Sequence, residues 1–142
     1  MSTPLERQAI AAPLVAYERA NGLSVDWPNR MFVKPAAGPW VRFTVLDTLG
    51  SQIEMGSTNN THRVYGSLIM QVFVPVDSGD GAALALGDAL GELYRQKILN
   101  FSDVPPSGMV RMRDPVVKTI GNSDEAYYQV NVLVPFHRDD LL

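Results

Sequence analysis

His62 and His137 are the only histidines in this chain, and no cysteine accompanies them. A zinc site needs three or four ligands at recurring spacings, such as the two histidines of HExxH on one helix face. Neither histidine sits in such a spacing, so both read as loop and terminal residues and no metal ligand is assigned. Asp77, Asp80 and Asp88 suggest a cation site at first sight. The stretch DSGDG lacks the later glutamate and the spacing of a calcium loop, so it reads as turn and helix-start chemistry. No serine has the strand-to-helix setting of an activated nucleophile. Gly79, Gly81, Gly87 and Gly91 lack the fingerprint and acidic partner of a dinucleotide site. No catalytic residue and no cofactor is therefore expected. An enzyme built from residues scattered along the chain stays as an alternative.

Arg111 and Arg113 are two apart, which puts them on one face of a regular strand. Arg42 is placed with them on the polar side of a neighbouring strand. Two readings stand. One is a positive inner surface beside DNA, and the other is ion pairing at the surface or between subunits. No aromatics interleave with these cations, so sequence-specific nucleic-acid readout is not expected.

Two long alternating segments must carry whatever these residues do. In Arg63–Val74, Val64, Leu68, Met70, Val72 and Val74 point one way, and Tyr65, Ile69 and Phe73 the other. In Tyr127–Phe136, Tyr128, Val130, Val132, Val134 and Phe136 share a face opposite Tyr127 and Leu133. A period of two means strand. Apolar residues on both faces exceed what one helical layer covers, so the second face is expected to meet another subunit. Trp40–Asp47 is a further strand, with Val41, Phe43 and Val45 on one side. Met109–Ile120 is a fourth strand region, interrupted at Asp114-Pro115 because proline cannot donate to a ladder.

A helix is predicted over Pro4–Ala20, capped by Thr3 and stopped by Asn21-Gly22, with a kink or break at Pro13. Ile10, Leu14 and Tyr17 form its heavier apolar stripe. A second helix is predicted over Gly81–Leu99, with Ala82, Leu86, Ala89, Leu90, Leu93, Tyr94 and Ile98 buried. Leu23–Gly38 is irregular, anchored by Val25, Trp27 and Phe32. Thr48–His62 reads as a long polar connection joining two strands, a hairpin with a long mobile tip, and a connection of that length is usually functional or locally disordered. Gln52, Glu54, Asn59, Asn60 and His62 are its candidate contact residues. The segment HRDDLL reads as a frayed terminus or a contact tail. The expected fold is α+β: an antiparallel or mixed four-stranded sheet with two main helices on one face, in a single domain over residues 1–142.

The formal charge of −3 argues against a broad nucleic-acid footprint. MSTPLERQ has no basic region followed by an apolar stretch, so no export signal is expected. No apolar run reaches the length of a membrane span, so no membrane contact is expected.

The helix PLERQAI, the segment DWPNRMF, GPWVRFTVL, the long stretch GSLIMQVFVPVDSGDGAALALGDAL and the terminal YYQVNVLVPF occur in an order that covers most of the chain. In that order and spacing the chain resembles the tail terminator family of long-tailed bacteriophages. The resemblance implies a non-enzymatic virion protein, assembled in the bacterial host cytoplasm. It implies a homohexameric ring on the end of the tail tube. That ring would stop addition of tube subunits, present a surface to head-completion proteins and leave a passage for DNA. Expected subunit-interface residues are Trp27, Phe32, Trp40, Tyr65, Ile69, Phe73 and Tyr127. Arg42, Arg111 and Arg113 are candidates for lining the passage. Alternatives are a head–tail connector or tail-tube subunit and, further off, a small host binding domain or enzyme.

Overall fold

A computed structural model describes residues 3–35, 37–52, 61–76, 79–100, 109–122 and 126–141. Glu54, Asn59 and Asn60 lie outside the described residues. The elements in order are α1 (Thr3–Asn21), β1 (Ser24–Asp26), β2 (Trp40–Gln52), β3 (Thr61–Pro75), α2 (Asp80–Glu92), β4 (Ile98–Asn100), β5 (Met109–Met112), β6 (Val116–Asn122) and β7 (Tyr127–Leu141). All the strands belong to one mixed sheet in the order β1-β2-β3-β7-β5-β4, with β6 also on β7. Only β1 runs parallel to its neighbour.

The α+β class and the two helices hold, but among the described residues the sheet has seven strands rather than four. β1 and β4 are three residues each, too short for periodicity to reveal. Asp114-Pro115 splits the region after Met109 into β5 and β6. Both halves pair with the same side of β7: Met112 with Phe136, and Val116 with Leu133. β3 occupies the other side of β7 over fifteen residues. The strand β7 is therefore central, and every other long strand depends on it directly or through β3.

Two further expectations need correction, and a third is refined. The hairpin expected over Thr48–His62 is present, with its ladder running further than read: β2 and β3 stay paired as far as Gln52 and His62. The polar HRDDLL segment is not a tail, since β7 continues through it to Leu141, opposite Thr61. A hydrogen-bonded ladder needs backbone, not apolar side chains, so these extensions left no mark in the alternation. The second helix ends at Glu92 rather than Leu99. Gln96 then adopts φ 51°, in the left-handed region, and the chain turns into β4. Ile98 belongs to that strand and is half exposed.

α1 runs through Pro13 without a break. The hydroxyl of Tyr94, fully buried, donates to the Ile10 carbonyl at 2.5 Å and accepts from the Leu14 N–H. It bridges the helical turn that contains Pro13, and an inserted side chain of this kind is a recognised way to accommodate a disturbed ladder. Gly22 closes the helix at φ 64°, its N–H bonding the Glu18 carbonyl, as Asn21-Gly22 suggested.

The alternating faces are as read. Val41, Phe43, Val45, Leu68, Met70, Val72, Val130, Val132, Val134 and Phe136 are buried on the inner face with Ile10 and Leu14 of α1 and Leu90 of α2. On α2 the buried residues are Ala83, Gly87, Leu90 and Gly91; of the predicted stripe Leu90 and Tyr94 are buried and Leu86 and Leu93 pack partly on the core, while Ala82 and Ile98 are exposed. A Cβ on Gly87 would lie 3.3 Å from Val117, and one on Gly91 3.1 Å from Pro115. The small residues let α2 lie close on β6 and β7, which turns Asp80, Gly81, Ala82, Ala85, Asp88 and Glu92 outward. Across the inner face, Glu6 of α1 forms an ion pair with Arg138 of β7, both almost wholly buried.

Candidate functional site

Among the described residues no helix lies on the outer face of the sheet. Its side chains follow from register. One cross-strand row holds Trp40 and Phe73, the next Arg42, Gln71, Asn131 and Lys118. Then come Thr44, Ile69, Leu133 and Val116, followed by Leu46, Ser67 and Pro135. Beyond them lie Tyr65, His137 and Arg111, and finally Arg63 and Asp139.

The first row is closed within the chain. Trp40 stacks on Phe73 with centroids 4.1 Å apart, Tyr127 meets it edge-on, and Phe32 packs at 5.1 Å. Lys34 lies 5.5 Å above the Trp40 ring, and the Tyr127 hydroxyl donates to the Pro35 carbonyl at 3.0 Å. The strap from Phe32 to Pro35 thus covers the aromatics, leaving Trp40, Phe73 and Tyr127 buried. Trp27 lies on the inner side, 4.9 Å from Phe43, with its indole N–H on Glu18. Three of the seven expected interface residues therefore bury their surface inside one chain, and Trp27 and Phe32 are half-buried. Met31 and Val33 of the same strap point outward and are 98% and 82% exposed.

The middle rows are open. Ile69 is half-buried, while Leu133, Leu46 and Val116 are 37%, 48% and 54% exposed. Tyr65 is exposed beside His137, ring to ring 6.3 Å. Leu46 and Val116 were not among the sequence candidates. The signal was available, because Leu46 alternates out of phase with the buried Val45 and Val116 with the partly buried Val117. Among the described residues the outer face carries Lys34, Arg42, Arg63, Arg111 and Lys118 against Asp26 and Asp139, and it is positive although the whole chain is negative.

The three arginines predicted to gather do not all do so. Arg111 lies opposite His137, and Arg113 donates its N–H to the Pro135 carbonyl, so those two stay close together. Arg42 sits at the other end of the sheet, bound to Asp26 at 3.1 Å. Arg63 makes a two-pronged bond to Asp139, at 2.7 and 3.0 Å, directly across the strand pair. That bond holds the Asp139 carboxyl below the usual carboxylate range. Burial first, and then the charge of Arg63, push His137 down, so its ring stays neutral near pH 7. His62, half-buried, stands at the start of β3, paired with Gln52 of β2.

Among the described residues no three His, Asp or Glu side chains gather around a point that suits a metal ion. An open trough of about 810 Å³ runs between α1 and the edge of β2, floored by Ala11, Val15, Trp27 and Phe43. Its wall includes Arg7, whose guanidinium donates to the Val45 carbonyl at 2.6 Å and so covers part of the exposed strand edge. No helix of the described residues is long and apolar enough to cross a membrane.

No curated protein sequence matches the chain. Among solved structures, one superposes with a TM-score of 0.76 over 100% of this chain and 98% of its own, at 21% identity. At that identity the likeness is one of fold. A family profile described as phage tail terminator protein matches residues 7–136. That span takes in both helices almost entirely, the outer sheet face and the buried pair's arginine-bearing strand up to Phe136, and on it the chain belongs to the phage tail terminator family.

Proposed function

We propose that this protein forms a closed ring, a hexamer, on the end of the phage tail tube. The ring stops addition of tube subunits and presents the surface to which head-completion proteins join. It acts as a single-domain structural unit of the virion tail, assembled in the host cytoplasm, and carries out no reaction. DNA passes through it without sequence readout, with Arg111 and Arg113 as the cations available to line the passage. Arg42 is not proposed for that role because Asp26 engages it at the opposite end of the sheet.

The observation that carries this reading is the uncovered outer sheet face. In a family of tail proteins, an apolar row left open by both helices is a surface for a further copy, because repeated contacts leave no free end when a ring closes. Tyr65 and Ile69 remain interface residues in this reading. Trp40, Phe73 and Tyr127 instead stiffen the sheet behind it.

The test is solution mass by light scattering, then microscopy with purified tail tubes. A hexamer, or a monomer that becomes a ring only at tube ends, supports termination. Long tubes made by the protein alone point to a tube subunit. A monomer that never binds tubes defeats the proposal.

A further inference from the structure

We infer that subunits join head to tail, the outward side of α2 on one copy seating on the open sheet row of the next. The inference rests on the ring reading and names the two surfaces that meet. The row of Ile69, Leu133 and Val116 is apolar and exposed, and Lys118 stands beside it with no ion pair among the described residues. The outward side of α2 lies on the opposite side of the molecule, because Gly87 and Gly91 press its other side onto the inner sheet face. There Ala82 and Ala85 make a flat apolar strip beside Asp88.

Charge selects between the ways two copies can meet. Sheet on sheet sets Lys118 and its cationic neighbours against their own kind. Helix on helix sets Asp88 against its own kind, Glu92 being engaged by Arg95 of its own chain. Sheet on helix brings opposite signs together and covers apolar surface on both sides, with like-charge pairing disfavouring the alternatives. Strand addition at the free edge of β6 is a poor competitor. Pro115 precedes that edge, Lys118 lies on it, and a bulge falls between Thr119 and Gly121, three devices that discourage edge pairing. A contact between two different patches is heterologous, and such contacts close into a ring when the rotation returns to its start.

Two variants test this. Val116→Glu/Lys118→Glu spoils the sheet row and leaves α2 intact. Ala82→Glu/Ala85→Glu spoils α2 and leaves the sheet intact. All four positions are exposed; if the first variant melts early, Lys118→Glu alone replaces it. Each is measured by light scattering at the concentration where the wild type assembles, with tube ends added if the wild type needs them. Each variant alone is expected to lose assembly completely. Mixed one to one, they are expected to form a dimer of twice the 15.6 kDa chain and nothing larger, since only one good surface remains on each. A mixture that stays monomeric while both variants melt like the wild type overturns the inference, as does assembly by either variant alone. If the wild type still forms rings in that case, the ring reading survives. If the wild type never assembles, both fall.

Discussion

Replacing Glu6 by Ala should be among the most damaging single changes away from the apolar core. Glu6 is 0% exposed and its partner Arg138 is 2% exposed, so solvent cannot take over the abandoned guanidinium. Removing one partner of a buried pair costs about 3–5 kcal/mol, chiefly because the other charge is left buried. Domains of this kind are stable by about 5–15 kcal/mol, so the loss is a large fraction of the whole. At roughly 4 °C per kcal/mol for a chain near 150 residues, the melting midpoint should fall by roughly 12–20 °C. Urea unfolding followed by tryptophan fluorescence measures the free energy directly. Arg138→Met alone should be similarly harmful. Glu6→Leu combined with Arg138→Met should recover most of the loss, because two apolar groups leave no buried charge behind. A Glu6→Ala cost below about 1 kcal/mol, or single effects that simply add in the double variant, would refute the account of a dry, mutually dependent pair.

Gly66→Ala should destabilise by about 1–3 kcal/mol, because its Cβ would lie 2.5 Å from the Phe136 ring and 2.7 Å from the Leu46 carbonyl oxygen; Gly81→Ala, which meets nothing within 4 Å, should be neutral or slightly stabilising in the same thermal melt. Burial pushes the Tyr94 phenol up, so above pH about 10 the unfolded chain loses its proton first and stability falls as pH rises. Tyr94→Phe should cost about 1–2 kcal/mol at neutral pH for the Ile10 carbonyl left behind and should remove that alkaline slope in urea titrations. His137 is shifted down, so the unfolded chain binds its proton first as pH falls through about 6.5; stability should drop on the acid side of that value, and His137→Gln should flatten the slope.

The strands with apolar alternation were legible because their side chains report the pleat. Both faces of Arg63–Val74 and Tyr127–Phe136 came out as read, since Val72 or Val132 in the opposite phase would strand a valine in water. What failed to show was structure held by backbone or by a single residue. Ser24–Asp26 and Ile98–Asn100 are too short for a period. Gln96 ends the helical region in a conformation that glycine or asparagine usually signals, so Leu99 looked helical. The site was only half legible for a related reason. An aromatic residue in an outward phase can meet a neighbour or its own chain, and Trp40 meets Phe32 and Phe73 of its own. Conversely, Leu46 and Val116 looked ordinary until register placed them on the bare side of the sheet.

The placement of β7 has a consequence for synthesis. This strand comes last among the described elements, yet it is the one on which β3, β5 and β6 all close. During translation those three segments emerge before the partner that completes them, and each waits with unsatisfied backbone groups along one flank. Native pairing between such distant parts of the polypeptide is slow to nucleate, and exposed flanks invite wrong pairings in the meantime. A chain cut short before Tyr127 would lack this keystone and the arginine that answers Glu6, and should not reach the fold.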